Sequence, residues 1–297
     1  MWNVPRGTFF CKHLYKTVPT CYNSIEMEGG GKMARVFAVA NQKGGVGKTT
    51  TVVNLAAYLG SRGKKVLCVD IDAQGNTTTG FGIQKKGLEV SSYDVLLGKA
   101  RIQEAILDSE FSNVSVVPAV SALAGAEIEM IELDNRMNRL KMQLLTCRTD
   151  YDFVFIDCPP SLSLMTLNGL VACDKLIIPM EAEFFALEGL SQLSDTMRIV
   201  RSRYNPGLDI QGILFTMFDA RLNLSNQVVD EVERYFPGKV FQTKIPRNVR
   251  LSEAPSHGKP VMYYDKSSKG AEAYELLGHE ILGEPLVIQQ KRRLFGR

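Results

Sequence analysis

Apolar residues come in short unbroken runs separated by longer stretches in which apolar and polar positions alternate with a helical period. Val36–Ala40, Phe153–Ile156 and Leu176–Pro179 are strand-sized and apolar along their whole length, and Lys65–Val69 and Ile210–Phe215 are apolar apart from Lys65 and Gln211. This pattern predicts strands buried on both faces, because a strand with one wet face would alternate. Helices are predicted over Lys48–Gly60, Ser121–Cys147, Phe184–Tyr204, Asn223–Phe236 and Ala271–Leu282. Strands that alternate with amphipathic helices imply a parallel sheet covered on both sides. The expected fold class is therefore α/β: a single doubly wound domain with a mostly parallel sheet and no internal repeat or second domain.

The ordered pattern begins at Met33, which divides the chain into three expected parts: an extension over 1–32, a single domain over 33–283 and a basic tail over 284–297. The extension contains a Gly29-Gly30-Gly31 run and no sustained period, and it lacks the long apolar core or Arg-rich amphipathic helix of a targeting peptide. Glu28-Gly29-Gly30-Gly31-Lys32 would be encoded by purine-rich codons like those of a ribosome-binding site, so Met33 is the expected natural start.

Composition narrows the picture without changing it. The 297 residues are 45% hydrophobic, with 35 Lys and Arg against 32 Asp and Glu, which excludes a disordered chain. The longest apolar runs fall well short of the roughly 18 to 20 residues that span a bilayer. Six cysteines and three histidines fall at no metal-ligand spacing, so the cysteines are expected to be reduced and mostly buried.

Candidate chemistry begins at Lys43-Gly44-Gly45-Val46-Gly47-Lys48-Thr49-Thr50, between the first strand and the first helix. Glycines let successive N–H groups converge on phosphate oxygens at the positive end of a helix. Lys48 is placed to reach the β- and γ-phosphates and the Thr49 hydroxyl to hold Mg²⁺. Asp70, Asp72 and Asp157 end or follow strands, where a parallel sheet opens onto its ligand crevice. One of them can hold the metal through water and another can orient the attacking water; the spacing does not say which.

Lys43 is a second lysine at the start of the loop, which an ordinary phosphate loop does not need. With it, the chain resembles the deviant Walker A group of P-loop NTPases and, within it, the ParA/Soj chromosome-partitioning family. The segments that carry the resemblance are 41–50, Asp70-Ile71-Asp72-Ala73-Gln74-Gly75-Asn76, Asp157-Cys158-Pro159-Pro160-Ser161-Leu162 and 245–260. The resemblance runs from about Met33 to about Leu282. Ala73 departs from it, standing where the family commonly has Pro. It implies an ATPase of slow intrinsic turnover that uses ATP and Mg²⁺, forms a homodimer on ATP, and binds double-stranded DNA nonspecifically. A centromere-binding ParB-like protein would stimulate hydrolysis, and the protein would lie in the bacterial cytoplasm on the nucleoid. By the same resemblance Lys43 touches the opposite protomer's ATP, Asp72 positions the hydrolytic water, Asp157 supports the metal, Pro246 and Asn248 lie against adenine, and Arg221 and Arg250 contact DNA.

Net charge does not argue for DNA, since removing residues 1–32 leaves only +1; distribution does. Seven basic residues lie between Lys239 and Lys269 against Glu253 and Asp265, enough to neutralise several phosphates in a salt-sensitive, sequence-independent way. The tail, with Lys291, Arg292 and Arg293 ahead of Leu294 and Phe295, is similar to the membrane-targeting tail of MinD ATPases. That similarity makes a MinD-like membrane-surface ATPase for division-site or cargo positioning the alternative function. Its apolar positions form no clean stripe, so a membrane is not the expected partner.

Overall fold

The computed structural model describes residues 33–285. The expectations for residues 1–32 and for the tail beyond 285 lie outside the described residues.

The first half of the domain runs β1 (Arg35–Val39), α1 (Lys48–Ser61), β2 (Val66–Asp70), α2 (Asn76–Gly80), α3 (Ser92–Leu97), α4 (Ile102–Ala105), β3 (Leu107–Asp108), β4 (Val114–Val117), α5 (Leu123–Met130) and α6 (Arg139–Leu144). The second half runs β5 (Phe153–Asp157), α7 (Leu164–Ala172), β6 (Lys175–Glu181), α8 (Ala186–Arg203), β7 (Asp209–Thr216), α9 (Asn223–Tyr235), α10 (Val249–Glu253), α11 (Val261–Tyr264) and α12 (Lys269–Leu282). The strands form one sheet in the order β3-β4-β2-β5-β1-β6-β7, parallel except for the antiparallel β3–β4 pair at the edge. This is the doubly wound α/β architecture that the unbroken apolar runs predict.

Successive residues of β1 go to opposite cores. Val36 and Ala38 pack on the side of α3, α5, α6 and α7, whereas Phe37 and Val39 pack against Leu55 and Leu59 of α1 and Leu277 of α12. Both faces are covered, so no position of β1 needs to be polar. The chain leaves β1 toward β2 and β4, returns to insert β5 between β2 and β1, and then proceeds outward to β6 and β7. The direction of winding reverses there, and the C-terminal ends of β1, β2 and β5 open onto a common crevice.

Two expectations change. The helix predicted over Ser121–Cys147 is two helices, because Asn168 reaches in from α7 and takes over the backbone at the break. Its Oδ1 accepts from the Leu140 N–H at 3.2 Å and its Nδ2 donates to the Arg136 carbonyl at 2.8 Å. Asn135 sits there at φ +55°, where asparagine is among the most tolerant non-glycine residues. Strands β3 and β4 and helix α7 were not anticipated. β4 is fully buried but only four residues long, too short for its pattern to stand out. Cys68, Cys147, Cys158 and Cys173 are buried free thiols, as expected. Among the described residues no helix is long and apolar enough to cross a membrane.

Candidate functional site

The loop between β1 and α1 is built by backbone conformation first. Gly45 and Gly47 have φ of +76° and +85°, a region that costs glycine nothing and other residues about 1 kcal/mol or more. Two neighbouring strands then clamp it. The Asn41 amide donates to the Pro179 carbonyl of β6 at 2.7 Å, and the Thr216 hydroxyl at the end of β7 donates to the Val46 carbonyl at 2.8 Å. Gly47 is the N-cap of α1, so the first orphan N–H groups of that helix face the loop's concavity.

Within this cradle Lys48 is 6% exposed, and its Nζ donates to the Lys43 carbonyl at 3.0 Å. Burial holds its pKa below the ordinary lysine value, partly offset by the negative charges of Asp157 and Asp72. A buried cation tethered to one carbonyl oxygen is well disposed toward an anion that offers more.

The three aspartates fall into three environments. Asp70 is fully buried and spent on structure: Oδ2 accepts from the Thr78 N–H and hydroxyl at 2.9 and 2.7 Å, and Oδ1 accepts from the Asp72 N–H at 3.2 Å. It fastens α2 to β2. Asp72 is 8% exposed and its Oδ1 accepts from the Gln74 N–H at 2.9 Å. Asp157 is 0% exposed; Oδ2 accepts from the Thr49 hydroxyl at 2.7 Å and from the Thr77 hydroxyl at 2.8 Å. Its Oδ1, equally buried, has no hydrogen-bond donor among the described residues. Burial, and then repulsion from Asp70, push the Asp157 carboxyl above the usual carboxylate range.

An orphaned buried carboxylate oxygen beside a threonine hydroxyl and a buried lysine fits a divalent cation carried in with a polyphosphate. Oxygen donors of this kind suit Mg²⁺, which keeps several waters and takes few protein ligands. The loop, Lys48, Thr49 and Asp157 therefore fit Mg²⁺ with a nucleotide triphosphate.

Lys43 points away from Lys48. Its ammonium lies 2.9 Å from Glu181 Oε2 and 2.5 Å from Glu183 Oε2, at the C-terminal end of β6. A cleft of about 720 Å³ opens beside it, lined by Glu181, Glu183, Met217, Phe218, Pro246 and Arg247 among others. The structure thus puts Pro246 on the cleft wall. Asn248 instead caps α10, accepting from the Arg250 N–H at 3.0 Å. Thr50 accepts from the Asn54 amide through its carbonyl.

Arg221 and Arg250 are both exposed and both ion-paired. Arg221 grips Asp219 with Nε at 2.9 Å and Nη2 at 2.6 Å, and Arg250 pairs with Glu253 at 2.7 Å and Asp265 at 3.2 Å. Sequence reasoning missed Glu181, Glu183, Thr77 and Thr216. Thr77 follows Asn76 within a matched segment's continuation and carried a faint signal; the others become neighbours of the loop only through strand order.

A family model described as "AAA domain" matches residues 34–210. The chain is 53% identical over 249 residues to the sporulation initiation inhibitor protein Soj of Bacillus subtilis, covering 84% of this chain and 98% of that one. It is 47% identical over 266 residues to the chromosome partitioning protein ParA of Myxococcus xanthus, covering 90% and 94%. Among solved structures, cobyrinic acid a,c-diamide synthase from Mycobacterium smegmatis with a bound ATP analogue and magnesium superposes with a TM-score of 0.75 at 37% identity, covering 84% and 94%.

Proposed function

Because the chain belongs to the ParA/Soj family of chromosome-partitioning ATPases, we propose that it is an ATP-switched partitioning protein. It binds ATP with Mg²⁺ in the glycine loop, pairs with a second copy, and in that form holds duplex DNA without reading its sequence. Hydrolysis, stimulated by a centromere-binding ParB-like partner, returns it to the single state. The observation that carries this reading is the buried Asp157 Oδ1, which has no donor among the described residues, set beside Thr49 and Lys48 at the mouth of the loop.

Thr49 and, through water, Asp157 would hold Mg²⁺, which when bound neutralises triphosphate charge and polarises the phosphoryl group under attack. Lys48 exchanges one carbonyl oxygen for phosphate oxygens, a gain because a charge-assisted bond to an anion is roughly twice as strong as a neutral one. Asp72 accepts a hydrogen bond from the attacking water and orients it. Lys43 serves the second copy's nucleotide rather than its own. Pro246 and Asn248 form the adenine side, Pro246 by direct contact from the cleft wall and Asn248 by fixing the turn into α10.

Arg221 and Arg250 meet DNA only by exchanging carboxylate partners for phosphate. That exchange supports weak affinity with a steep salt dependence rather than tight binding. The protein then resides on the nucleoid of the bacterial cytoplasm, and turnover stays slow until the partner arrives.

Sedimentation of the Asp72→Ala variant with and without ATP and random-sequence duplex DNA tests the cycle. The variant is expected to bind ATP, to form a dimer that DNA retains at low salt, and to release no phosphate. Adding Arg250→Glu should leave the dimer and remove DNA retention. A variant that stays single in saturating ATP, or that turns over normally, sinks the reading.

A further inference from the structure

The contact made by Lys43 has no use in a phosphate loop that serves its own nucleotide. Its ammonium is half-exposed, yet it faces two carboxylates of its own chain, Glu181 Oε2 at 2.9 Å and Glu183 Oε2 at 2.5 Å. Both glutamates belong to the C-terminal end of β6 and the residues just beyond it, so their position is set by the sheet. Lys43 is held from its other side too, since its N–H donates to Asn41 Oδ1 at 3.0 Å and its carbonyl accepts Lys48 Nζ at 3.0 Å. Hydrogen bonding to Glu183 leads the causes that raise the pKa of Lys43, and the Glu183 carboxyl is held below its usual value by hydrogen bonding within the cluster, with help from the nearby positive charge of Arg247.

We propose that Glu181 and Glu183 are positioning residues that hold Lys43 within its own protomer, so that closure of two copies on ATP must first break this paired-carboxylate latch. The inference rests on the reading of Lys43 as the residue that serves the second copy's nucleotide. Its physical content is competition. In a single chain the ammonium is satisfied by two carboxylates in cis. When a second copy brings a triphosphate to the same place, its phosphate oxygens compete with the two carboxylates for the ammonium, and the glutamates are left facing an anion. The latch therefore opposes association without nucleotide and yields when a triphosphate is present. A diphosphate, with less charge to offer, releases it less readily.

The size of the effect follows from exposure. Ion pairs at half-exposed positions contribute little, about two- to five-fold in an equilibrium constant. Two lysines cross in each dimer, so the dimer dissociation constant should change by the square, about 4- to 25-fold. That is enough to set a threshold without preventing closure.

The test uses the full chain carrying Asp72→Ala to stop hydrolysis, with Glu181→Gln and Glu183→Gln added singly and together. Sedimentation over a protein dilution series in saturating ATP should show the double variant dimerising about 4- to 25-fold more tightly than its parent, with the gain shrinking at high salt as ion pairs are screened. ATP affinity of the dilute single chain, measured in parallel, separates tighter dimerisation from a change in nucleotide binding. In the nucleotide-free chain, mass-spectrometric mapping of amine labelling should show Lys43 reacting several-fold faster once the carboxylates are gone, and Glu183→Asp should restore part of its protection. A parent that dimerises on ATP while the Gln variants dimerise no more tightly overturns the latch alone, as does unchanged labelling of Lys43. Parent and double variant both single in saturating ATP overturn the dimer reading and the latch with it.

Discussion

Asp70, Asp72 and Asp157 are one residue type at two neighbouring strand ends, and the structure separates them by what each carboxylate already holds. Asp70 has both oxygens committed to Thr78 and the Asp72 N–H, so it is mortar between β2 and α2. Asp157 keeps one buried oxygen unpartnered among the described residues, which suits a group that arrives with a ligand. No spacing rule reveals this difference, because it depends on Thr77 and Thr78 being turned inward by α2. Lys48, by contrast, is proposed as a phosphate ligand from the loop motif alone, and its tether to the Lys43 carbonyl is what a phosphate would replace. Lys48→Ala is expected to weaken ATP binding by about 10- to 100-fold, the worth of one charge-assisted bond. Titration with a fluorescent ATP analogue checks this, and unchanged affinity would remove Lys48 from the site.

Elements were legible where they were long or doubly buried. β1, β2, β5, β6 and β7, and helices α1, α8, α9 and α12, fall where the apolar pattern places them. The break between α5 and α6 was hidden because the apolar spacing continues across it and the cause, Asn168, is on another helix. The packing of α1 on α12 was hidden as well. Gly278 lets α12 lie directly on the Tyr58 ring: a Cβ there would stand 2.0 Å from Tyr58 Cδ1 and 2.3 Å from Cε1. Tyr58 has no room to move, since its hydroxyl pairs with His279 Nε2 at 3.1 Å and accepts from Arg62 Nη1 at 2.8 Å. Gly278→Ala gains helix propensity worth less than 1 kcal/mol and must push two helices apart, so a net loss of about 1–3 kcal/mol is expected from the denaturant midpoint. A midpoint at or above that of the parent would show that the α1–α12 contact yields freely.

At the scale of the molecule, the outer strand β7 is fastened at its start by the Asp209–Lys239 ion pair at 2.8 Å. Burial pushes the Asp209 carboxyl upward, but the Lys239 ammonium outweighs it and holds the pKa below the usual aspartate value. A carboxyl depressed in the folded state adds stability above its unfolded pKa of about 3.9, and that stability is lost as pH falls through the lower folded value. Asp209→Asn should therefore cost up to about 1 kcal/mol near neutrality, an amount suited to a partly exposed pair, with the cost fading below about pH 4. Urea unfolding at several pH values reads this out, and a cost that grows on acidification would contradict it. Arg221 and Arg250 belong to this scale too: because they pair with Asp219, Glu253 and Asp265, DNA in the proposed function would have to compete for charges already paired within the chain. The amino-acid sequence by itself determined the fold class and the glycine loop with Lys48 and Thr49, because buried parallel strands must be apolar throughout and a phosphate cradle needs its glycines and lysine adjacent along the chain. Only the tertiary structure decided which aspartate is left wanting a ligand and which carboxylates restrain Lys43, because Thr77, Glu181 and Glu183 reach the loop through the order of strands in the sheet, a relation between residues far apart along the backbone.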